Sequence, residues 1–321
     1  MSRSPDPQDL APEALVEAQQ EGHGYRAFGL SIASDLALPG LLDAPISAEP
    51  DVVIRTARIS PETVSAVNDS GDHVGTAPPG VLRALVEEGR TITVDPDLEA
   101  DPDFVAAVIT GELLAALLRQ RGCLVLHGAA VARGGHAIGF LGNSGWGKST
   151  LAASLVGRGW RLLTDDLLVV SGLSNGTSAG SSAGPAIVAG HPSMRLATEA
   201  AALVAADTHA RHRAHAHTTK VRMDWDEAFL DAPVPVSHLF VLDPRGYEAP
   251  GVDPLPAHVA VLEMVHHTRV RLLLASPAYR QAHLAQCADL VGRTPVFSLR
   301  RQFGLEHVAA LCDLAEATVA R

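Results

Sequence analysis

The stretch Gly142-Asn143-Ser144-Gly145-Trp146-Gly147-Lys148-Ser149-Thr150 constrains this chain more than any other. It fits the P-loop pattern G-x-x-x-x-G-K-[ST]. His136-Ala137-Ile138-Gly139-Phe140-Leu141 before it is apolar and strand-like, and Leu151-Ala152-Ala153-Ser154-Leu155-Val156 after it has helical composition. Strand, glycine loop and helix in that order is the context the pattern needs. Such a loop turns backbone N–H groups inward around a phosphate, and the helix N-terminus adds its positive dipole end. Lys148 then reaches the β/γ-phosphates and the Ser149 hydroxyl ligates Mg²⁺. The alternative is a Gly/Ser-rich turn with a stray lysine. Only Lys148 and Lys220 are lysines in this chain, which makes a chance lysine at that position rare.

With 321 residues the chain has room for one large α/β domain or two small ones. Hydrophobic residues make up 47% and aromatic residues only 4%, so the expected core is built of Ala, Val and Leu. A net charge of −11 argues against a general nucleic-acid surface or an anionic-membrane surface. Cys123, Cys287 and Cys312 are odd in number and form no CxxC pair, which suits reduced thiols in a cytosol. No apolar run has the length of a membrane helix, and Met1 to Gln20 is acidic and Pro-rich with no apolar signal core. The expectation is a cytoplasmic protein, with homo-oligomerisation left open.

Residues 1–24 read as a loose tail. Residues 25–120 read as a β-rich lead-in plus a helix, with strands at Phe28 to Ile32, Asp51 to Arg55, Thr91 to Val94 and, more weakly, Val81 to Leu85. The helix starts with Asp101 as N-cap and Pro102 in its first turn, carries Phe104, Val105, Val108, Ile109, Leu113, Leu117 and Leu118 on one face, and stops at Arg121-Gly122. Residues 121–321 read as the phosphate-binding domain. Expected there are strands at Cys123 to Ala132, Trp160 to Thr164, Leu167 to Val170, Ala186 to Ala189, Thr218 to Met223, Ser237 to Asp243 and Pro295 to Leu299. His191 to Leu196 reads as a helix start, and helices are expected over Ala257 to Ala275, Ser276 to Gly292 and Leu305 to Val319. Ser171 to Gly184 and Thr208 to Thr219 read as loops. His209, His212, His215 and His217 crowd the second of these, and a plain polar loop is preferred there over a metal site.

Asp165-Asp166 ends the strand that follows the P-loop helix. One aspartate there can hold the Mg²⁺ shell and a second can accept the proton of an attacking hydroxyl, the alternative being a solvated Asp-Asp turn. Neighbours on a strand face opposite sides, so both serve one site only if the strand has ended. His127 precedes the P-loop by one hairpin, and a lone histidine is more often structural than catalytic.

The run Leu126-His127-Gly128, then Gly142-x-Ser144-Gly145-x-Gly147-Lys148-Ser149, then Arg158-Gly159-Trp160-Arg161-Leu162-Leu163-Thr164-Asp165-Asp166 resembles the core of HPr serine kinase/phosphorylase. The layout is similar to HPr-kinase-like proteins of peptide-modifying systems, including lasso-peptide clusters. The resemblance implies a P-loop kinase fold with a mixed β-sheet, akin to phosphoenolpyruvate carboxykinase, using ATP and Mg²⁺. It implies transfer to a serine hydroxyl of a peptide or small protein. It makes Asp166 the proton-handling carboxylate, Asp165 a metal or water ligand and His127 an active-site partner, beside the Lys148 phosphate and Ser149 metal contacts of the P-loop pattern; Lys220, as one of only two lysines, is a candidate substrate or phosphate contact, with a plain surface residue as the alternative. Three departures stand out: Thr150 where the family has Glu, a bulky Trp146 in the loop, and no Leu-Glu-x-Arg-Gly signature near Ile187 to Arg195. Two rival readings remain, a kinase of a sugar or amino acid and an ATP-binding subunit without transfer.

Overall fold

The structure, a computed structural model, describes residues 22–64, 74–76, 80–175, 180–204, 211–215, 218–269 and 277–320. Its strands are β1 (His23–Ala27), β2 (Leu30–Ser34), β3 (Leu42–Asp43), β4 (Val52–Thr56), β5 (Val74–Thr76), β6 (Leu82–Glu87) and β7 (Thr91–Pro96) in the first sheet. Then come β8 (Leu124–Arg133), β9 (His136–Leu141), β10 (Arg161–Thr164), β11 (Leu167–Ser171), β12 (Ala186–Val188), β16 (Val234–Gly246), β17 (Gly251–Pro254) and β18 (Val296–Arg301) in the second. A three-stranded sheet holds β13 (Ser193–Ala197), β14 (Arg211–Arg213) and β15 (Lys220–Asp224), in the order β13-β15-β14. The helices are α1 (Pro102–Val108), α2 (Leu114–Gln120), α3 (Lys148–Val156), α4 (Thr198–Val204), α5 (Ala257–His266), α6 (Pro277–Arg293) and α7 (Val308–Val319). The chain is mixed α/β, with mixed parallel and antiparallel pairing in both large sheets.

The chain diverges from the sequence expectation at several places, among them the expected loop Thr208 to Thr219, where Arg211–Arg213 form β14 against β15, and the unexpected strand β17. Phe28 and Gly29, expected within a strand, form the two-residue turn between β1 and β2, with φ of 55° and 72°. Positive φ at both positions matches the twist of the flanking strands. Phe28 tolerates it because its side chain is buried and its N–H donates to Ala189 O at 2.9 Å. The expected helix start at His191 to Leu196 is instead β13, since pairing with β15 outweighs the local Pro192 signal. The helix from Ala257 stops at His266, and the remainder of that expected helix, 270–275, lies outside the described residues. The helix from Pro102 is broken by a π turn over Ile109–Leu113. Asp101 caps it as expected, its side chain accepting from Asp103 N–H at 3.0 Å. His209, His217 and 176–179 of the first loop also lie outside the described residues.

The apolar face of α1, the π turn and α2 is buried between the first sheet and the β8/β11 pair, where Leu113, Leu117, Ile54, Val125 and Val169 share one cluster. Each such fully buried aliphatic side chain contributes about 1.5–3 kcal/mol. A second cluster joins β8, β9, β16 and β18 to α3, α6 and α7 through Phe140, Phe240, Leu151, Leu290 and Leu311. β8 is the strand that places the site. Its residues Leu124 to His127 pair with β11 and Ala130 to Ala132 with β10, while Gly128 to Arg133 also pair with β9. A Cβ at Gly128 would sit 2.8 Å from Phe140 O, which is why no side chain fits there.

Candidate functional site

The glycine-rich loop from Gly142 to Gly147 leaves the C-terminal end of β9 and enters α3. Gly145 and Gly147 take φ of 82° and 92°, values open to glycine and costly to other residues. Gly147 is the N-cap of α3, with Lys148 in its first turn. The loop borders a cavity of about 410 Å³. Lys148, Ser149, Asp165, Asp166, His127 and Lys220 all line it, so the structure brings these sequence candidates to one place.

The two aspartates share the cavity because β10 ends at Thr164. Asp166 adopts φ of 70°, in the left-handed region that Asp enters more readily than most residues. Thr164 Oγ1 donates to Leu167 O at 2.7 Å and Leu167 N–H to Asp165 O at 2.9 Å, which fixes the bend. Backbone strain of this kind clusters at functional sites.

Each aspartate then has its own partners. Ser149 Oγ donates to Asp165 Oδ1 at 2.7 Å, and Arg195 N–H donates to Asp165 Oδ2 at 3.1 Å. Asp166 receives Arg195 Nη2 at 2.9 Å on Oδ2, and both Arg269 Nη2 and His127 Nε2, the latter at 3.3 Å, on Oδ1. A carboxylate only accepts, so His127 carries its proton on Nε2. Burial alone would raise the Asp166 carboxyl. The His127 hydrogen bond and the Arg269 and Arg195 charges outweigh burial and hold it well below the usual range.

His127 is itself lowered, chiefly by burial and partly offset by its hydrogen bond to Asp166, so it is neutral near pH 7. Burial also lowers Lys148 to about 8, against the pull of the Asp165 and Asp166 carboxylates. Lys148 Nζ donates to Asn143 O at 3.0 Å. Lys220 opens β15 on the cavity wall, close enough for its charge to disfavour a proton on Lys148.

Arg195 and Arg269 are the residues that sequence reasoning missed. Arg195 is the half-buried polar position of β13 between buried Met194 and Leu196, an alternation visible only once the segment is read as a strand. Arg269 is delivered by the chain after α5, which runs along β8. His127 N–H donates to His267 O at 2.7 Å and Arg269 N–H donates to Val125 O at 3.0 Å. No local sequence signal marks that contact. The π turn completes the floor, where a Cβ on Gly111 would lie 3.7 Å from Asp166 Oδ2. Of the histidine-rich segment, His215 reaches the cavity and stacks on Phe104 at 4.7 Å. Among the described residues no group of three or more His, Cys, Asp or Glu is placed to hold a metal by itself.

No family model matches the chain, and no curated protein matches it. Among solved structures it is similar to the Hpr(Ser) kinase/phosphatase from Coxiella burnetii, at 11% identity and a TM-score of 0.31, over 60% of this chain and 95% of that one. No helix among the described residues is long and apolar enough to cross a membrane.

Proposed function

We propose that the chain is an ATP- and Mg²⁺-dependent phosphotransferase of the P-loop kinase type, which moves the γ-phosphoryl group to the serine hydroxyl of a peptide or small protein. The observation that carries this is the pair Ser149 Oγ and Asp165 Oδ1, 2.7 Å apart and beside Lys148 in one cavity. A hydroxyl and one carboxylate suit Mg²⁺, which takes oxygen ligands and keeps positions for waters and phosphates. Bound there, Mg²⁺ supplies neutralisation of phosphate charge. Lys148 and the loop amides hold the phosphates. Asp166 receives the acceptor proton, and His127 keeps that carboxylate oriented. Arg195 and Arg269 neutralise charge on the transferring group. As phosphate oxygens draw these arginines away, their hold on Asp166 weakens and its proton affinity rises.

Lys148 makes the reading pH-sensitive in a defined direction. Phosphates need the ammonium form, and in the free protein Lys148 is lowered to about 8. Below that pH the ammonium is present and affinity for ADP should be flat. Above about pH 8 affinity should fall by up to about tenfold per unit, with proton uptake on binding. Calorimetry in two buffers of different ionisation heat checks both, and a flat affinity up to about pH 9.5 would count against the assignment.

The acceptor is tested with labelled ATP and serine peptides, read by mass spectrometry. A peptide with serine near a free end should gain about 80 Da, one phosphoryl group, and its Ser→Ala version should gain nothing. Phosphorylation of free sugars or amino acids alone would replace the peptide with a small-molecule acceptor. ATP binding with no acceptor modified at all would leave a nucleotide-binding subunit.

A further inference from the structure

Arg269 and His127, which both hold Asp166, meet one short segment after α5. Residues 267–269 run antiparallel to β8 through the bridge between Thr268 and Leu126. The His127 and Arg269 amides make the flanking bonds, to His267 O at 2.7 Å and to Val125 O at 3.0 Å.

Behind Thr268 lies a polar chain enclosed in the core. Arg119 on α2, His283 on α6 and Thr268 are all buried. Arg119 Nη1 lies 3.3 Å from His283 Nδ1, and His283 Nε2 lies 2.9 Å from Thr268 Oγ1. Thr268 Oγ1 donates at 2.9 Å to Met264 O, one of the last carbonyls of α5, which a helix leaves without a partner of its own. A threonine hydroxyl has one proton, so toward His283 it can only accept. His283 therefore donates from Nε2 and accepts at Nδ1, where Arg119 donates. The donors all run one way, from Arg119 to the end of α5. Burial and the Arg119 charge push His283 down to about 4, so the ring is neutral and this order holds across neutral pH. Cys287 Sγ sits 3.6 Å from Nε2, and burial pushes its thiol up to about 12, so it adds no charge.

We propose that His283 and Thr268 are positioning residues for the Asp166 site, which set Arg269 and His127 against the carboxylate through the segment between them. The proposal deepens the transfer reading above and rests on it for the effect on turnover. Two observations separate this chain from ordinary core polarity. Arg119 makes its side-chain hydrogen bond to a neutral ring, and its Nε is buried without an acceptor among the described residues. A buried charge so poorly compensated is costly, and an apolar side chain would avoid that cost. The chain also joins the two elements that flank Asp166. α2 continues the π turn whose Gly111 lies beneath Asp166 Oδ2, and Thr268 directly precedes Arg269. The His283 ring spans the two, so the floor under the carboxylate and the guanidinium on it are held in one frame. A misplacement of about 1 Å at a reacting centre can cost about 10²-fold in rate.

The test uses variants of the full chain. Thr268→Val keeps the shape and removes the hydroxyl, and His283→Leu removes the ring. Both should lower kcat about tenfold or more, with ADP affinity and the KM for the peptide acceptor within about twofold. Retained ADP binding also shows that the variants are folded. In both, the His127 and Arg269 amides should lose about tenfold of their protection from hydrogen exchange. Thr268→Ser and His283→Gln supply the same donors and acceptors in the same order, and should recover kcat to within about threefold. Leu290→Ala, a core change on the same helix, should lower the thermal midpoint and leave kcat per folded molecule unchanged. Unchanged kcat and unchanged exchange in Thr268→Val and His283→Leu would overturn the proposal. So would a loss that Ser and Gln fail to recover, or one that Leu290→Ala reproduces, since either marks a merely structural role. If the unaltered chain transfers no phosphoryl group, the transfer reading fails, and the exchange of the two amides alone decides the positioning role.

Discussion

Asp166→Asn should lower phosphoryl transfer by about 10²–10⁴ while ADP binding survives within a few-fold. Asparagine keeps the shape of the side chain and cannot take a proton. Its amide nitrogen would also face one of two arginine donors, Arg195 on Oδ2 or Arg269 on Oδ1. Either way one guanidinium loses its acceptor, so the variant should lose roughly 1–2 kcal/mol of stability after solvent screening is allowed for. The pH dependence separates the two losses. A carboxyl held below its ordinary 3.8 contributes stability that is complete above that value and is lost as pH falls through its lower folded pKa. The thermal midpoints of the two proteins should therefore differ by a constant amount across neutral pH and converge only in acid. Single-turnover transfer from labelled ATP, measured well below the variant's midpoint, isolates the chemical loss. Near-normal turnover would remove Asp166 as proton acceptor and hand that role to Asp165 or His127.

The parts of this site legible in the sequence are those written in contiguous residues. The glycine loop stands out because the P-loop pattern places glycines and a lysine at fixed spacing. Asp165-Asp166 is visible for a related reason, as it ends the strand after the P-loop helix. Whether both aspartates could face one cavity was not decidable from the pattern. It depends on Asp166 entering positive φ, which the sequence of an Asp-Asp pair permits without requiring. Arg195 and Arg269 were out of reach because long-range pairing delivers them. One arrives by the β13–β15 ladder and the other by the bridge from Thr268 to Leu126. Pro192 carried the local signal of a helix start, and the ladder overrode it. The π turn is likewise written in packing, since the apolar spacing of Ile109 and Leu113 fits an unbroken helix equally well. Gly111 at its centre leaves the room that the Asp166 carboxylate occupies.

On the proposed function, Lys148→Ala should cost about 10²–10³ or more in transfer and weaken ADP and inorganic tripolyphosphate alike, because it would remove the fixed charge that the proposal sets against the phosphates. Loop amides and the α3 dipole remain, but neither supplies a full positive charge at the β/γ position. The expected effect on stability has the opposite sign. Only 5% of Lys148 is exposed, and its pKa of about 8 against an ordinary 10.5 means that folding opposes its charge. Below about pH 8 that opposition amounts to roughly 3 kcal/mol, and it is relieved as pH rises toward the unfolded value. Alanine forfeits the packing of the lysine stem, about 1–2 kcal/mol, and removes the charge penalty at the same time. The thermal midpoint at neutral pH should therefore hold or rise while activity disappears. A lysine retained for structure would give the reverse, a lower midpoint with turnover reduced only in proportion to the unfolded fraction. Midpoint, ADP affinity and turnover measured on one preparation decide between them, and unchanged affinity with unchanged turnover would remove the phosphate role from Lys148 altogether.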